Sequence, residues 1–224
     1  RDDIYFEFLA KDVLPIKITT FGKNNKSDIF YDTKNNLTTR YFISDKLLDA
    51  KCSLIGNHNI MNIMAAIGVA QTLKISINSI KKGIESVRGM PGRLELKYLK
   101  NGAAIIDDSY NSNPSSMMAA IDVLATRSDQ HTILVIGDMA ELGEQSQRLH
   151  NNIIKYINDS SVSYTLAIGE NFQKPMINNI NYGSWFNSKK DLIKELKVVM
   201  RENSVLMIKG SRSMKMEEII NKII

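Results

Sequence analysis

From Leu94 onward the chain alternates short apolar runs with segments of helical period, and this alternation restricts its fold more than any other feature. The apolar runs are Leu94–Leu99, Ala103–Asp107, Thr132–Ile136, Tyr164–Ile168, Tyr182–Trp185 and Val205–Ile208. Pro114–Thr126, Gln145–Asn158, Lys189–Arg201 and Ser213–Ile224 carry helical spacing, with a shorter helix at Asn171–Ile177. Strands alternating with helices of roughly 10–15 residues build βαβ units, because parallel neighbours need a crossover connection. The pattern predicts a Rossmann-like, doubly wound α/β domain over residues 91–224.

Residues 1–90 read differently. Short strands are expected at Val13–Phe21, Ile29–Tyr31, Thr38–Ile43 and Cys52–Ile55, separated by Gly- and Asn-containing turns, then helices at Asn57–Leu73 and Ser76–Val87. The run Arg88-Gly89-Met90-Pro91-Gly92-Arg93 interrupts both patterns and is expected to separate two domains.

Composition narrows the function classes. With 43% hydrophobic residues in 224, the chain can build a core. A single cysteine, Cys52, excludes an internal disulfide framework and suits a reducing cytosol. No window approaches the ~18 apolar residues of a membrane span, and the first residues lack a secretion signal. The net charge of +5 is spread out, without the basic stripe interleaved with aromatics that marks a nucleic-acid surface. The start Arg1-Asp2-Asp3 lacks methionine and points to a fragment of something longer.

Chemistry concentrates at strand-to-helix junctions, where strand ends and helix N-termini converge on ligands. The densest is Ile106-Asp107-Asp108-Ser109-Tyr110-Asn111-Ser112-Asn113-Pro114. Asn113 can cap the helix that Pro114 opens, with Met117, Ala120, Ile121 and Leu124 as its buried stripe. That leaves Asp107, Asp108, Tyr110 and Asn111 without a structural task. Arg93, fifteen residues before Asp108, offers a fork for a phosphate, while Asp108 at a strand end can accept from ribose hydroxyls. Two further strand ends carry Asp138, which can hold an ammonium group or serve a turn, and Lys209-Gly210-Ser211-Arg212-Ser213, which suits a carboxylate or phosphate. Ser213 or Ser211 can also simply cap a helix.

In Gly56-Asn57-His58-Asn59-Ile60-Met61-Asn62, Asn59 and Asn62 share a helix face, and paired carboxamides can read a purine edge. Capping by Asn57 with exposed neighbours is the plainer alternative. His150 falls mid-helix and reads as packing or surface. The sequence carries no G-x-x-x-x-G-K-[ST] phosphate loop, G-x-G-x-x-G fingerprint, zinc-spaced cysteines or G-x-S-x-G elbow.

Together, G-N-H-N-x-x-N-x-x-A-A, D-D-S-Y-N-x-N-P, G-D-M-A-E-L-G and K-G-S-R-S-M-K-M-E resemble the C-terminal half of the Mur ligase family. The resemblance runs from about Leu54 to the C-terminus and is nearest to the branch that joins D-alanyl-D-alanine to a UDP-N-acetylmuramoyl tripeptide. It implies an ATP-dependent amide-bond ligase working through an acyl phosphate in peptidoglycan precursor synthesis. Residues 1–90 would be the end of the central ATP-binding domain and 91–224 the C-terminal domain. By motif, Asn59 and Asn62 would contact adenine, Arg93 the phosphates and Asp108 the ribose. Tyr110, Asn111, Asn113, Asp138, Ser211 and Arg212 would face the dipeptide and acyl phosphate.

The phosphate loop, the Mg2+ ligands and the uridine-nucleotide domain would lie in a separate N-terminal half. The fragment alone is therefore expected to be inactive, a cytoplasmic monomer awaiting that partner, with no metal ligand of its own. The alternative is a non-catalytic module that binds nucleotide or dipeptide. An oxidoreductase is disfavoured by the missing glycine fingerprint.

Overall fold

A computed structural model describes residues 2–13, 15–33, 38–54 and 57–224, apart from the side chains of Asn57 and His58. The chain divides into two units, Arg1–Arg88 and Gly89–Ile224.

In the first unit, helix α1 (Phe6–Asp12) precedes strands β1 (Ile29–Thr33), β2 (Thr38–Ile43) and β3 (Lys46–Lys51), then helices α2 (Asn57–Thr72) and α3 (Ile77–Ser86). The strands form an antiparallel meander in the order β1-β2-β3. Alternation along the strands sends Ile29, Tyr41, Ile43, Leu48 and Ala50 to one face, where Ile63, Met64 and Ile67 of α2 and Ile80 and Ile84 of α3 meet them. Ser76 starts α3 by accepting a hydrogen bond from the Ser79 N–H.

Two expectations fail here, and one helix was not foreseen. The apolar stretch at 13–21 forms no strand among its described residues beyond a single bridge, Phe21 to Ile29. Instead the Asp28 carboxylate accepts from the Thr20 N–H at 2.8 Å and the Thr20 hydroxyl at 2.6 Å. The strand expected at Cys52–Ile55 lies one segment earlier, at Lys46–Lys51, while Ile55 falls outside the described residues. Pairing with β2 decides this, since Arg40 faces Asp49 and bonds it with two N–H groups at 2.8 and 2.9 Å. Helix α1 gave no sequence signal because Tyr5 begins it without a side-chain cap and none of its residues is buried.

The second unit contains β4 (Glu95–Tyr98), β5 (Ala104–Asp108), α4 (Pro114–Ala125), β6 (Thr132–Gly137), α5 (Ser146–Asn158), β7 (Tyr164–Ile168), α6 (Glu170–Asn179), β8 (Gly183–Phe186), α7 (Lys189–Val199), β9 (Val205–Lys209) and α8 (Glu217–Ile223). Its sheet runs β4-β5-β9-β6-β7-β8. Only β4 is antiparallel to its neighbour. Every residue of β6 and β9 is buried, because helices cover both faces.

Leu192 and Leu196 of α7, Ile219 and Ile220 of α8 and Met216 just before it pack on one face, against Ile105, Val135, Leu166 and Leu206. On the other face α4 lies against β6 and β9, and α5 packs on α4 and α6. Met117, Ala120, Ile121 and Leu124 form the buried stripe of α4. The chain is thus an α/β protein with a doubly wound sheet. The last helix begins at Glu217 rather than Ser213, because Arg212–Met214 make a 3-10 turn that ends in left-handed Lys215.

Candidate active site

The position of β9 creates the site. Chains leaving β5 and β6 enter α4 and α5 on one face, whereas the chain leaving β9 enters α8 on the other. Connections that diverge to opposite faces leave a crevice at the carboxyl ends of the strands between them. Asp108 ends β5, Lys209 ends β9 beside it in register, and Gly137 ends β6.

Asp107 and Asp108 are neighbours with different tasks. Asp107 points inward and is 3% exposed. Its Oδ1 accepts from the Ser109 N–H at 3.1 Å and the Ser109 hydroxyl at 2.6 Å, and its Oδ2 from Lys97 Nζ at 2.6 Å. The expectation that Asp107 lacks a structural task is therefore wrong: it ties β4 to the loop after β5. Asp108 faces the other way. Its Oδ2 accepts from Lys209 Nζ at 2.6 Å and its Oδ1 from the Leu94 N–H at 3.3 Å.

Tyr110 is 42% exposed, and the Arg93 guanidinium carbon stands 4.4 Å from its ring centroid. That of Arg212 stands 5.9 Å away. One aromatic ring thus holds two cations that are far apart in sequence. The boundary segment reaches this loop through Gly92, whose carbonyl accepts from the Tyr110 N–H at 2.9 Å. At Gly92 φ is +72°, and a Cβ would lie 3.1 Å from the Tyr110 nitrogen, so this approach needs glycine. Arg212 also donates to Glu217 at 2.9 Å.

The remaining predicted residues divide between the loop and its supports. The Asn111 carbonyl accepts from Lys209 Nζ at 2.9 Å, and its side-chain oxygen accepts from the Ser112 N–H at 2.8 Å. Asn113 caps α4 in a reciprocal box with Ser116. Ser211, 1% exposed, donates its N–H to the Asp138 carbonyl at 3.0 Å, linking the loops after β9 and β6. Its hydroxyl meets that of Ser213 at 3.0 Å without capping a helix.

The Asp138 carboxylate caps α6, accepting from the Asn171 N–H at 3.0 Å, the Asn171 amide at 3.0 Å and the Phe172 N–H at 3.1 Å. His150 lies behind this turn, fully buried. Its Nε2 accepts from the Met139 N–H at 3.0 Å, so the proton sits on Nδ1, 2.8 Å from the Ser146 carbonyl. Burial lowers its pKa, against smaller raising effects from Ser146 and Asp138, which suits a neutral ring.

In the first unit, the Asn62 amide donates to the Asn59 oxygen at 3.3 Å across one turn of α2. The side chain of His58 lies outside the described residues. Among the described residues no group of three or more His, Cys, Asp or Glu side chains could hold a metal ion.

Sequence reasoning read Lys209 only as a nearby cation and missed its pairing with Asp108. The available signal was a lysine ending an apolar strand run, where a charge needs a partner.

Residues 92–212 match the family described as Mur ligase, glutamate ligase domain. Residues 1–70 match the one described as Mur ligase middle domain. The chain belongs to the Mur ligase family. A UDP-N-acetylmuramoyl-tripeptide–D-alanyl-D-alanine ligase of Escherichia coli is 35% identical over 212 residues, which take in 91% of this chain and 46% of that protein. A crystal structure of MurF from Acinetobacter baumannii superposes with a TM-score of 0.89 at 25% identity, covering 100% of this chain and 50% of that one. The MurF ligase of Thermotoga maritima, solved in complex with ADP, shares the fold with a TM-score of 0.81 at 22% identity, covering 98% of this chain and 51% of its own. This Mur ligase chain thus spans about half the length of the curated relatives it matches.

Proposed function

We propose that this chain is the C-terminal half of an ATP-dependent ligase that adds D-alanyl-D-alanine to the UDP-N-acetylmuramoyl tripeptide. In this reading residues 1–90 end the central ATP-binding domain, and residues 91–224 form the C-terminal domain. The enzyme works in the cytoplasm as a monomer, supplying the wall precursor on which cell shape and division depend.

The observation that carries the reading is the Arg93–Tyr110–Arg212 stack beside the Asp108–Lys209 pair. Cations and one carboxylate gathered at neighbouring strand ends suit a triphosphate and an acyl phosphate. A carboxylate is a poor electrophile. The terminal oxygen of the tripeptide attacks the γ-phosphorus of ATP, ADP leaves, and an acyl phosphate forms. The amine of D-alanyl-D-alanine then attacks the acyl carbon, phosphate departs with the C–O bond pair, and the amine loses a proton as the amide forms. Oriented cations offset charge on the phosphoryl oxygens.

Asn59 and Asn62, whose carboxamides already share one helix face, contact adenine. Asp108 accepts from the ribose, and Arg93 meets the phosphates. Tyr110, Asn111, Asn113, Asp138, Ser211 and Arg212 face the dipeptide and acyl phosphate, with Asp138 and Asn113 acting through the loops they brace. Magnesium, when bound, neutralises phosphate charge. Its ligands belong to the half of the ligase that carries the phosphate loop.

The test is ATP-dependent phosphate release with the muramoyl tripeptide nucleotide, measured for this chain with and without the phosphate-loop half. Release that requires both halves and D-alanyl-D-alanine is expected. Release that ignores the dipeptide overturns the substrate assignment, and turnover by this chain alone overturns the division of labour. Nucleotide binding without turnover by the joined halves would favour a non-catalytic module.

A further inference from the structure

Lys209 enters above only as the partner of Asp108, with no substrate contact of its own, yet it is the most enclosed cation at the site, 2% exposed at the end of β9. Burying an ammonium is costly unless acceptors replace its water. Its two acceptors belong to opposite ends of one loop. Asp108 Oδ2 lies at 2.6 Å and the Asn111 carbonyl at 2.9 Å, using two of the three N–H groups.

The loop between them is held by its neighbours and by one of its own ends. Ser109 donates to the Asp107 carboxylate, Tyr110 to Gly92, and Ser112 to the Asn111 side chain. The ammonium closes this loop where a backbone pair would close an ordinary turn. Stability is a weak reason for such a charge, because an apolar side chain commonly does as well inside a core.

We propose that Lys209 is a positioning residue that couples the two substrates. It aims the Asp108 carboxylate at the nucleotide and, through the Asn111 carbonyl, sets the loop that meets the dipeptide. This rests on the roles given to Asp108 and Asn111 under the functional reading above.

In the ligase formed by this chain and the phosphate-loop half, Lys209→Met should raise the KM values for ATP and for D-alanyl-D-alanine by about tenfold each, the size of one charge-assisted hydrogen bond. Asp108→Asn should raise the KM for ATP alone. A loss confined to kcat that tracks the loss of folded protein, with both KM values unchanged, overturns the coupling. Lys209→Gln, which keeps an N–H donor without charge, is read by the same two outcomes if the Met variant does not fold.

Amide hydrogen exchange in the 224-residue chain provides a readout independent of activity. The Tyr110 and Ser112 amides should exchange about tenfold faster in Lys209→Met, while those of β6 keep their rates. Unchanged exchange in the loop overturns the proposal whatever the enzyme does. An unaltered ligase that ignores D-alanyl-D-alanine would instead sink the functional reading.

Discussion

The carboxylate of Asp138 occupies the space in which a side chain at Gly169 would stand. A Cβ there would lie 2.3 Å from the carboxyl carbon and from Oδ1. Gly169 also has φ +117° and ψ 151°, a region closed to L side chains. The loop after β6 and the start of α6 are thus fitted through an absent side chain. Gly169→Ala should cost about 3 kcal/mol or more in urea unfolding, from strain and displacement together. Asp138→Ala, which only removes the cap, should cost about 1 kcal/mol. Equal losses would show that the close approach contributes nothing.

The aspartate pair after β5 separates by mutation. Asp107→Ala leaves Ser109 without its acceptor and Lys97 with Glu95 alone, and should destabilise the protein by about 2 kcal/mol, with the KM for ATP unchanged in the joined ligase. Asp108→Ala should raise that KM. Thermal unfolding beside nucleotide kinetics distinguishes the two, and an unchanged KM for Asp108→Ala counts against its ribose role.

Tyr110 tests the stack. Tyr110→Phe keeps a ring against Arg93 and Arg212 and should leave the KM values within about twofold. Tyr110→Ala frees both guanidiniums and should raise them by roughly five- to tenfold, the worth of one to two cation–π contacts. If Phe proves as damaging as Ala, the hydroxyl rather than the ring face is what matters.

Burial lowers the pKa of His150, and burial followed by the nearby Arg201 lowers that of His131. Both folded-state values therefore lie below the ordinary value of 6.5. The unfolded chain binds the protons first as pH drops, so the stabilising contribution is full above about 6.5 and is lost as pH falls toward the folded-state values. Unfolding free energy measured from pH 8 to pH 5 should decline, and more weakly in His150→Gln. A flat profile would mean that neither ring is held neutral.

The second unit was legible because its strands are continuous apolar runs and its helices carry periodic stripes, as Met117 to Leu124 show. Asn113 and Pro114 marked the start of α4 to the residue. The first unit was less so, since β3 is bounded by lysines and owes its place to β2. At the site, the types of residue were readable but their partners were not. Nothing local distinguishes Asp107 from Asp108: the pleat turns one toward Lys97 and the other toward Lys209.

The position of β9 also bears on how the protein is made. Its neighbours β5 and β6 are synthesised about a hundred and about seventy residues earlier, respectively, and do not pair with each other. Until residues 205–209 arrive, each presents a bare, apolar strand edge, open to pairing with another molecule. The sheet's middle is therefore filled last, through its most distant contacts, and its assembly should be slow. The same event delivers Lys209, Ser211 and Arg212, so a chain still missing its final strand has neither a continuous sheet nor a site.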